Sequence, residues 1–166
     1  MKQFDIFISA LRDFETSDKA LYKTPCNRTA LCHALAVRLM KALECSGEPY
    51  FVDMAVSETR SKKIITPDIL VHDRKGGKFM AVVCRSDYLS EGEQEELNRL
   101  SEESHGCLCL GLSFFPQKNY MLIYTTGNET KYMHFSRNTL TCEAIRVKAS
   151  RQESSSEDQM AFKLKI

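Results

Sequence analysis

The spacing of apolar residues divides the first part of the chain into two helical segments. Near the N-terminus apolar residues recur every three or four positions, which is the period of an amphipathic α-helix. A second stripe with the same period follows Thr24, a suitable cap, and Pro25, a suitable first helical residue, and it stops at Gly47. The apolar residues of the two stripes are Phe4, Phe7, Ile8, Leu11, Phe14, Leu31, Leu35, Leu39 and Leu43. The pattern therefore predicts two helices, the second of them deeply packed.

Beyond Gly47 the pattern alternates as it does in β-strands, and a turn at 75–77 predicts an antiparallel hairpin. Residues 80–84 are apolar on both faces, which is typical of a strand at the centre of a sheet. Ser90 and Glu93 have the spacing of a capping box, which predicts a third helix ending near Ser104. The predicted strands cover 50–56, 68–72, 79–85, 107–114, 120–125, 131–135 and 141–147.

The C-terminal segment has a different composition from the rest of the chain. Residues 150–158 are serine, glutamate and other polar residues with nothing to bury, which predicts a flexible tail. The last six residues alternate, so they either fray or add a strand to a sheet edge. The 166 residues, of which 43% are hydrophobic and 27% charged, fit one globular domain. We expect a single α/β domain over 1–149 and a polar tail over 150–166.

Charge and cysteine usage narrow the class of protein. A formal net charge of +1 provides no global attraction to nucleic acid, so any such contact must be local. No signal peptide and no apolar run of about 20 residues is evident, and we expect a cytoplasmic protein without a membrane partner. The seven cysteines form no CxxC pair, and most of them are expected to act as small buried hydrophobes. Cys107 and Cys109 share a strand face, where a metal site with His105 is the alternative.

Two short segments at the centre of the chain resemble the sequence motif of a known family. Residues 67–72 read Pro-Asp-Ile-Leu-Val-His, and after a glycine turn residues 80–86 read Met-Ala-Val-Val-Cys-Arg-Ser. These runs, with the helix before them and the helix and strand after them, resemble the PD-(D/E)xK, or restriction-endonuclease-like, nuclease superfamily over about residues 25–124. The resemblance implies a restriction-endonuclease-like fold, in which a mixed central β-sheet is flanked by helices.

The resemblance also implies a site, and this chain departs from it. In that superfamily an Asp and a Glu hold a divalent cation, usually Mg²⁺, and a Lys two residues past the Glu assists the attacking water. Asp68 stands at the Asp position, whereas Val83 stands at the Glu position and cannot bind a metal. Arg85 stands at the Lys position and keeps the charge without being able to act as a base. An acidic position on the first helix falls on Asn27.

The catalytic candidates are therefore Asp68 and Arg85, and Asp53 on the preceding strand is a candidate second metal ligand beside Asp68. Each also has a structural interpretation. An Asp at a strand start commonly bonds nearby backbone, and Arg85 can simply pair with Asp68 or Asp87. A Mg²⁺ cofactor is expected only if the site is active.

A basic cluster precedes the Asp68 strand. Arg60, Lys62 and Lys63 lie in the loop where a nuclease-like fold presents its substrate cleft, and together with Arg85 they are candidates for contacts to the phosphate backbone of DNA or RNA. The alternative is an exposed loop that is basic without a ligand.

Three functions follow from these observations. The first is a catalytically degenerate module that binds nucleic acid or acts in regulation through a partner. The second is an active Mg²⁺-dependent nuclease with a relocated acidic residue, which requires at least two carboxylates converging near Asp68. The third is a protein-interaction domain unrelated to nucleic acid, which would show an exposed apolar patch or an unprotected sheet edge.

Overall fold

A computed structural model describes residues 2–23, 28–54, 66–126 and 131–145 of the chain. The helices are α1 (Lys2–Ser17), a 3₁₀ helix (Lys19–Lys23), α2 (Arg28–Cys45) and α3 (Glu91–Glu103). The strands are β1 (Phe51–Met54), β2 (Ile69–His72), β3 (Lys78–Arg85), β4 (Leu108–Ser113), β5 (Tyr120–Thr125), β6 (Lys131–Ser136) and β7 (Thr141–Ile145).

The seven strands form one mixed sheet in which they lie in chain order from β1 to β7. Neighbouring strands are antiparallel except β3 and β4, which run parallel with Met80 opposite Leu108 and Arg85 opposite Ser113. A parallel pair needs a crossover connection, and α3 provides it between these two strands. The α/β class predicted from the sequence is confirmed.

Helices cover both faces of the sheet, and β3 shows how. Its side chains alternate, so Val82 and Cys84 pack on the side of α1 and α2 while Ala81 and Val83 pack on the side of α3. Residues 79–84 are all buried. Coverage on both faces is why this strand is apolar throughout instead of alternating, as its sequence predicted.

Two predicted helix boundaries are confirmed by hydrogen bonds. Gly47 adopts a left-handed φ of +68° just after α2, and the N–H of Glu48 returns to the carbonyl of Leu43 at 3.1 Å, which is a glycine-dependent helix end. At α3, Ser90 Oγ accepts from the Glu93 N–H and the Glu93 carboxylate accepts from the Ser90 N–H. This is the predicted capping box.

Several predictions fall outside the described residues, namely the Thr24–Pro25 start of the second helix, the ends of two predicted strands at 55–56 and 146–147, and the tail over 150–166. The predicted hairpin is present, because β2 and β3 are antiparallel around residues 75–77. Among the helices that are described, none is long and apolar enough to cross a membrane.

Candidate functional site

Three elements meet at the C-terminal end of β3 and bring a cluster of charged side chains together. Asp68 directly precedes β2, Arg85 is the last residue of β3, and Arg28 is the first residue of α2. The N–H of Asp68 donates to the carbonyl of Val82 at 2.9 Å, which fixes the backbone of Asp68 against β3. The antiparallel β2–β3 pairing therefore places the start of one strand beside the end of the other.

Both carboxylate oxygens of Asp68 contact donor groups of the protein. Oδ2 accepts the backbone N–H of Cys84 at 2.7 Å and lies 3.2 Å from Nη1 of Arg85. Oδ1 lies 3.4 Å from Nη2 of Arg28. With only 17% of its side chain exposed, Asp68 depends on these three donors to replace water.

The carbonyl of Cys84 holds the same two arginines in place. It accepts Nη1 of Arg85 at 2.7 Å and Nη1 of Arg28 at 3.3 Å. Each guanidinium is thus bound to both a carboxylate and a backbone oxygen. Two partners at fixed positions restrict the orientation of a planar guanidinium more than one carboxylate does.

Glu93 adds a second carboxylate on another side of Arg85. Its Oε1 accepts Nε of Arg85, and its Oε2 accepts the N–H of Ser90 at 2.9 Å. Partial burial acts to raise the pKa of Glu93, but the Ser90 N–H and the Arg85 guanidinium outweigh it and lower that pKa. Glu93 is therefore ionised at neutral pH, and the charges of Asp68 and Glu93 balance those of Arg28 and Arg85.

Two thiols lie beside this charged cluster. Cys32 of α2 and Cys84 of β3 are both buried, and one ligand atom from each lies within 4.8 Å of the other and of an oxygen of Asp68. The neighbouring Cys32 thiol and burial raise the pKa of Cys84 well above the ordinary thiol range. Both sulfurs are on the α2 side of the sheet.

An aromatic cluster lies near the C-terminal ends of β3 and β4, at the same end of these strands as the charged cluster. The N–H of Phe114 donates to the carbonyl of Arg85 at 2.8 Å, so the segment after β4 passes next to the end of β3. The parallel pairing of these strands puts their C-terminal ends together. The aromatic cluster consists of Tyr88, Phe115, Lys118, Tyr120 and His134.

The ammonium of Lys118 is surrounded by rings of this cluster. Nζ lies 4.4 Å from the ring centre of Phe115 and 5.3 Å from those of Tyr88 and Tyr120, within the range of cation–π attraction. The ring of Tyr120 also contacts that of His134, with centres 5.0 Å apart. Tyr88 is 47% exposed, which leaves much of its side chain accessible to a ligand.

No family model, curated protein or solved structure matches this chain. Its function is therefore inferred from the side chains themselves.

The structure brings together two of the residues singled out in the sequence, Asp68 and Arg85. Asp53 lies elsewhere, with Oδ2 2.7 Å from Nε2 of His72 and Oδ1 3.6 Å from Nη2 of Arg74. The bond to His72 lowers the pKa of Asp53. Within the described parts of the chain, the group whose ligand atoms lie close enough together to hold a metal ion joins Asp68 to two cysteines and does not include Asp53.

The other positions singled out in the sequence lie away from this charged cluster or outside the described residues. Val83, at the place of the missing Glu, is fully buried on the α3 side of the sheet. Asn27 and the basic residues Arg60, Lys62 and Lys63 lie outside the described residues. Cys107 and Cys109 have sulfurs 4.0 Å apart, and His105 is exposed.

Four members of the site were not recognised from the sequence. Glu93 was visible only as part of the capping box, and the two cysteines only as small hydrophobes. Arg28 directly follows Asn27, where the resemblance implies an acidic position. Its place next to Asn27 is the sequence feature that could have pointed to Arg28 as a member of the site. The four residues are Arg28, Cys32, Cys84 and Glu93.

Proposed function

We propose that this protein is a degenerate PD-(D/E)xK-type module with a restriction-endonuclease-like fold, which binds single-stranded nucleic acid without cleaving it. The order of elements supports the fold assignment. A helix (α2) is followed by three antiparallel strands (β1 to β3), a second helix (α3) and a strand (β4) parallel to β3. Asp68 and Arg85 lie side by side within this arrangement.

One observation carries the proposal that the site does not cleave. The carboxylate of Asp68 is occupied by Arg28, Arg85 and the N–H of Cys84. Mg²⁺ needs several oxygen ligands and gives up its water reluctantly. To bind here it would have to displace two guanidinium groups or share one carboxylate with them, against the repulsion of like charges.

Exposed cations and an exposed aromatic ring near the C-terminal ends of β3 and β4 support the binding of nucleic acid. The side chain of Arg28 is 44% exposed and Lys118 is exposed, so a phosphate can approach each cation from the solvent side while the cation keeps its contacts with the protein. The exposed ring of Tyr88 offers a surface on which a base can stack. Bases are accessible for such stacking when they are unpaired, which favours a single strand over a duplex.

The proposed surface is local and bounded by acidic residues. Glu91 begins α3 at this edge and is exposed, while the net charge of the whole chain is only +1. We therefore expect modest affinity with a strong dependence on salt, because few phosphate contacts provide most of the attraction.

The binding proposal can be tested by fluorescence anisotropy. Labelled single-stranded DNA and RNA oligonucleotides are titrated with the full chain in EDTA over a series of salt concentrations. Tyr88→Ala should weaken binding roughly tenfold, since loss of one stacked base costs about 1–3 kcal/mol. Lys118→Gln should weaken binding and reduce the salt dependence. Lys75→Gln is the matched control, because Lys75 is an exposed lysine in the β2–β3 turn at the opposite end of these strands.

Two outcomes would contradict this proposal. One is no binding of either oligonucleotide at low salt. The other is an equal loss of affinity in Lys75→Gln and Tyr88→Ala, which would mean that any exposed side chain contributes and that the aromatic cluster has no special role.

Glu93 favours a second candidate function. It supplies a carboxylate on another side of Arg85 from Asp68, so movement of Arg85 would leave two carboxylates facing one space. In that case the protein would be an active Mg²⁺-dependent nuclease with Glu93 as the relocated acid. Metal-dependent cleavage that is lost in both Asp68→Ala and Glu93→Gln would identify it.

A further inference from the structure

Two thiols and one carboxylate converge where α2 packs on β3. A ligand atom from each of Cys32, Cys84 and Asp68 lies within 4.8 Å of the other two. The cysteines are 1% and 0% exposed, whereas the side chain of Asp68 is 17% exposed. The sulfur side of this group is therefore closed, and its carboxylate side faces toward solvent.

We propose that Cys32, Cys84 and Asp68 bind one zinc ion, which links α2 to the central sheet. The packing of α2 on β3 places these three ligands together. Zinc binding here therefore requires neither binding of nucleic acid nor the nuclease resemblance. A protein that fails to bind oligonucleotides can still bind zinc here, and the reverse also holds.

The ligand types select zinc over magnesium. Thiolate is a soft ligand that favours zinc, and two thiolates with one carboxylate leave a fourth tetrahedral position for water. Zinc bonds of about 2.3 Å to sulfur and about 2.0–2.2 Å to oxygen place tetrahedral ligands roughly 3.5–3.8 Å apart. The observed spacing of up to 4.8 Å closes to that distance with movements on the order of 1 Å.

Charge balance also permits the ion. Each thiol releases its proton to solvent on binding, so one Zn²⁺ replaces two protons. Arg28 and Arg85 also contact Asp68, but the two thiolates neutralise the charge of Zn²⁺, so the ion adds no net positive charge beside the guanidinium groups. Mg²⁺, which does not favour sulfur ligands, lacks this compensation. The cluster has the same net charge with and without the ion, and no oxidant or reductant is required.

Cobalt replaces zinc as a spectroscopic probe of this site. The full chain, reduced and freed of metal, is titrated with Co²⁺, and zinc affinity is then measured by competition. We expect one Co²⁺ per chain, with an intense near-ultraviolet thiolate-to-cobalt charge-transfer band that zinc abolishes. Cys32→Ser and Cys84→Ser should each lose that band and weaken zinc binding by at least roughly 100-fold, more than the loss of an outer partner.

A second pair of cysteines provides the matched control. Cys107 and Cys109 are also buried, with sulfurs 4.0 Å apart, and they belong to a different packing cluster. Cys107→Ser and Cys109→Ser should leave the cobalt band unchanged. If those variants lose the band while Cys32→Ser keeps it, the site has been assigned to the wrong cysteines.

The wild-type protein decides the question if a cysteine variant fails to fold. Zinc should raise its thermal unfolding temperature while Mg²⁺ at the same concentration does not. Absence of a charge-transfer band together with no effect of zinc on unfolding would overturn the proposal. So would an intact mass lower by two hydrogen atoms, with Cys32 and Cys84 joined in a disulfide, after purification under the same conditions.

Discussion

Glu15 and Arg137 place opposite charges in the interior, where α1 meets the turn after β6. Their side chains are 5% and 9% exposed, with Oε1 of Glu15 3.6 Å from Nε of Arg137. Tyr22 donates its hydroxyl to Oε1 of Glu15 at 2.7 Å, and its ring lies 4.0 Å from the guanidinium carbon of Arg137. Arg137 also donates to the carbonyl of Phe114. One arginine therefore ties α1, the 3₁₀ helix and the end of β4 together.

Replacing Arg137 should be costly because it leaves Glu15 buried without its cation. We expect Arg137→Met to lower the free energy of unfolding by about 3 kcal/mol near pH 7, measured by urea denaturation. Burial already raises the pKa of Glu15, and loss of the arginine should raise it further. A raised carboxyl pKa reduces stability as pH rises through it, so the deficit should be smaller near pH 4.

Arg12 offers a control for the Arg137 experiment. It is exposed and donates Nε to the carbonyl of Leu140 at 2.9 Å. Arg12→Met should cost under about 1 kcal/mol, as expected for an exposed hydrogen bond. Equal losses from the two substitutions would mean that burial of the Glu15 charge is not what makes Arg137 important.

The start of α3 connects helix stability to the charged site. Ser90 caps the helix, and its N–H holds the carboxylate that also binds Arg85. The same Glu93 thus completes a capping box and fixes one side of a guanidinium that contacts Asp68. Local sequence rules at this helix start determine where a site residue points.

Two neighbouring substitutions test the helix start. Ser90→Ala should lower the free energy of unfolding by about 1 kcal/mol through loss of the cap. Gly92→Ala should raise it by up to about 1 kcal/mol, because Gly92 lies within α3 and a Cβ there meets nothing within 4 Å. Denaturant titration measures the free energy of unfolding of each variant and of the wild-type protein. If Ser90→Ala raised that free energy, the Ser90 cap would not stabilise α3.

At the scale of the whole molecule, the features predicted correctly were those with a local signal. The apolar period marked α1 and α2, Gly47 marked the end of α2, and the all-apolar run in β3 marked a strand covered on both faces. Each depends on residues within a few positions of one another. Within the described residues, several strand ends differ from the prediction by one residue.

The site was predicted less completely because its members come from distant parts of the chain. Asp68 and Arg85 were found through their resemblance to a family motif. Their partners Arg28 and Glu93 belong to two different helices, and sequence spacing does not reveal which helix ends converge on a strand. Cys84 has an apolar sequence context like that of other cysteines, and only packing of α2 against β3 brings Cys32 beside it.

Arg28 and Arg85 occupy the carboxylate of Asp68, and we propose that this prevents Mg²⁺ or Mn²⁺ from binding there for catalysis. The most direct test is to incubate the full chain with single- and double-stranded DNA and RNA, in Mg²⁺ and in Mn²⁺, beside an identically purified Asp68→Ala variant. We expect all substrates to stay intact with both proteins and both metals. Cleavage by the wild-type protein that disappears in Asp68→Ala would contradict it, because a catalytic metal would then bind at Asp68 despite Arg28 and Arg85.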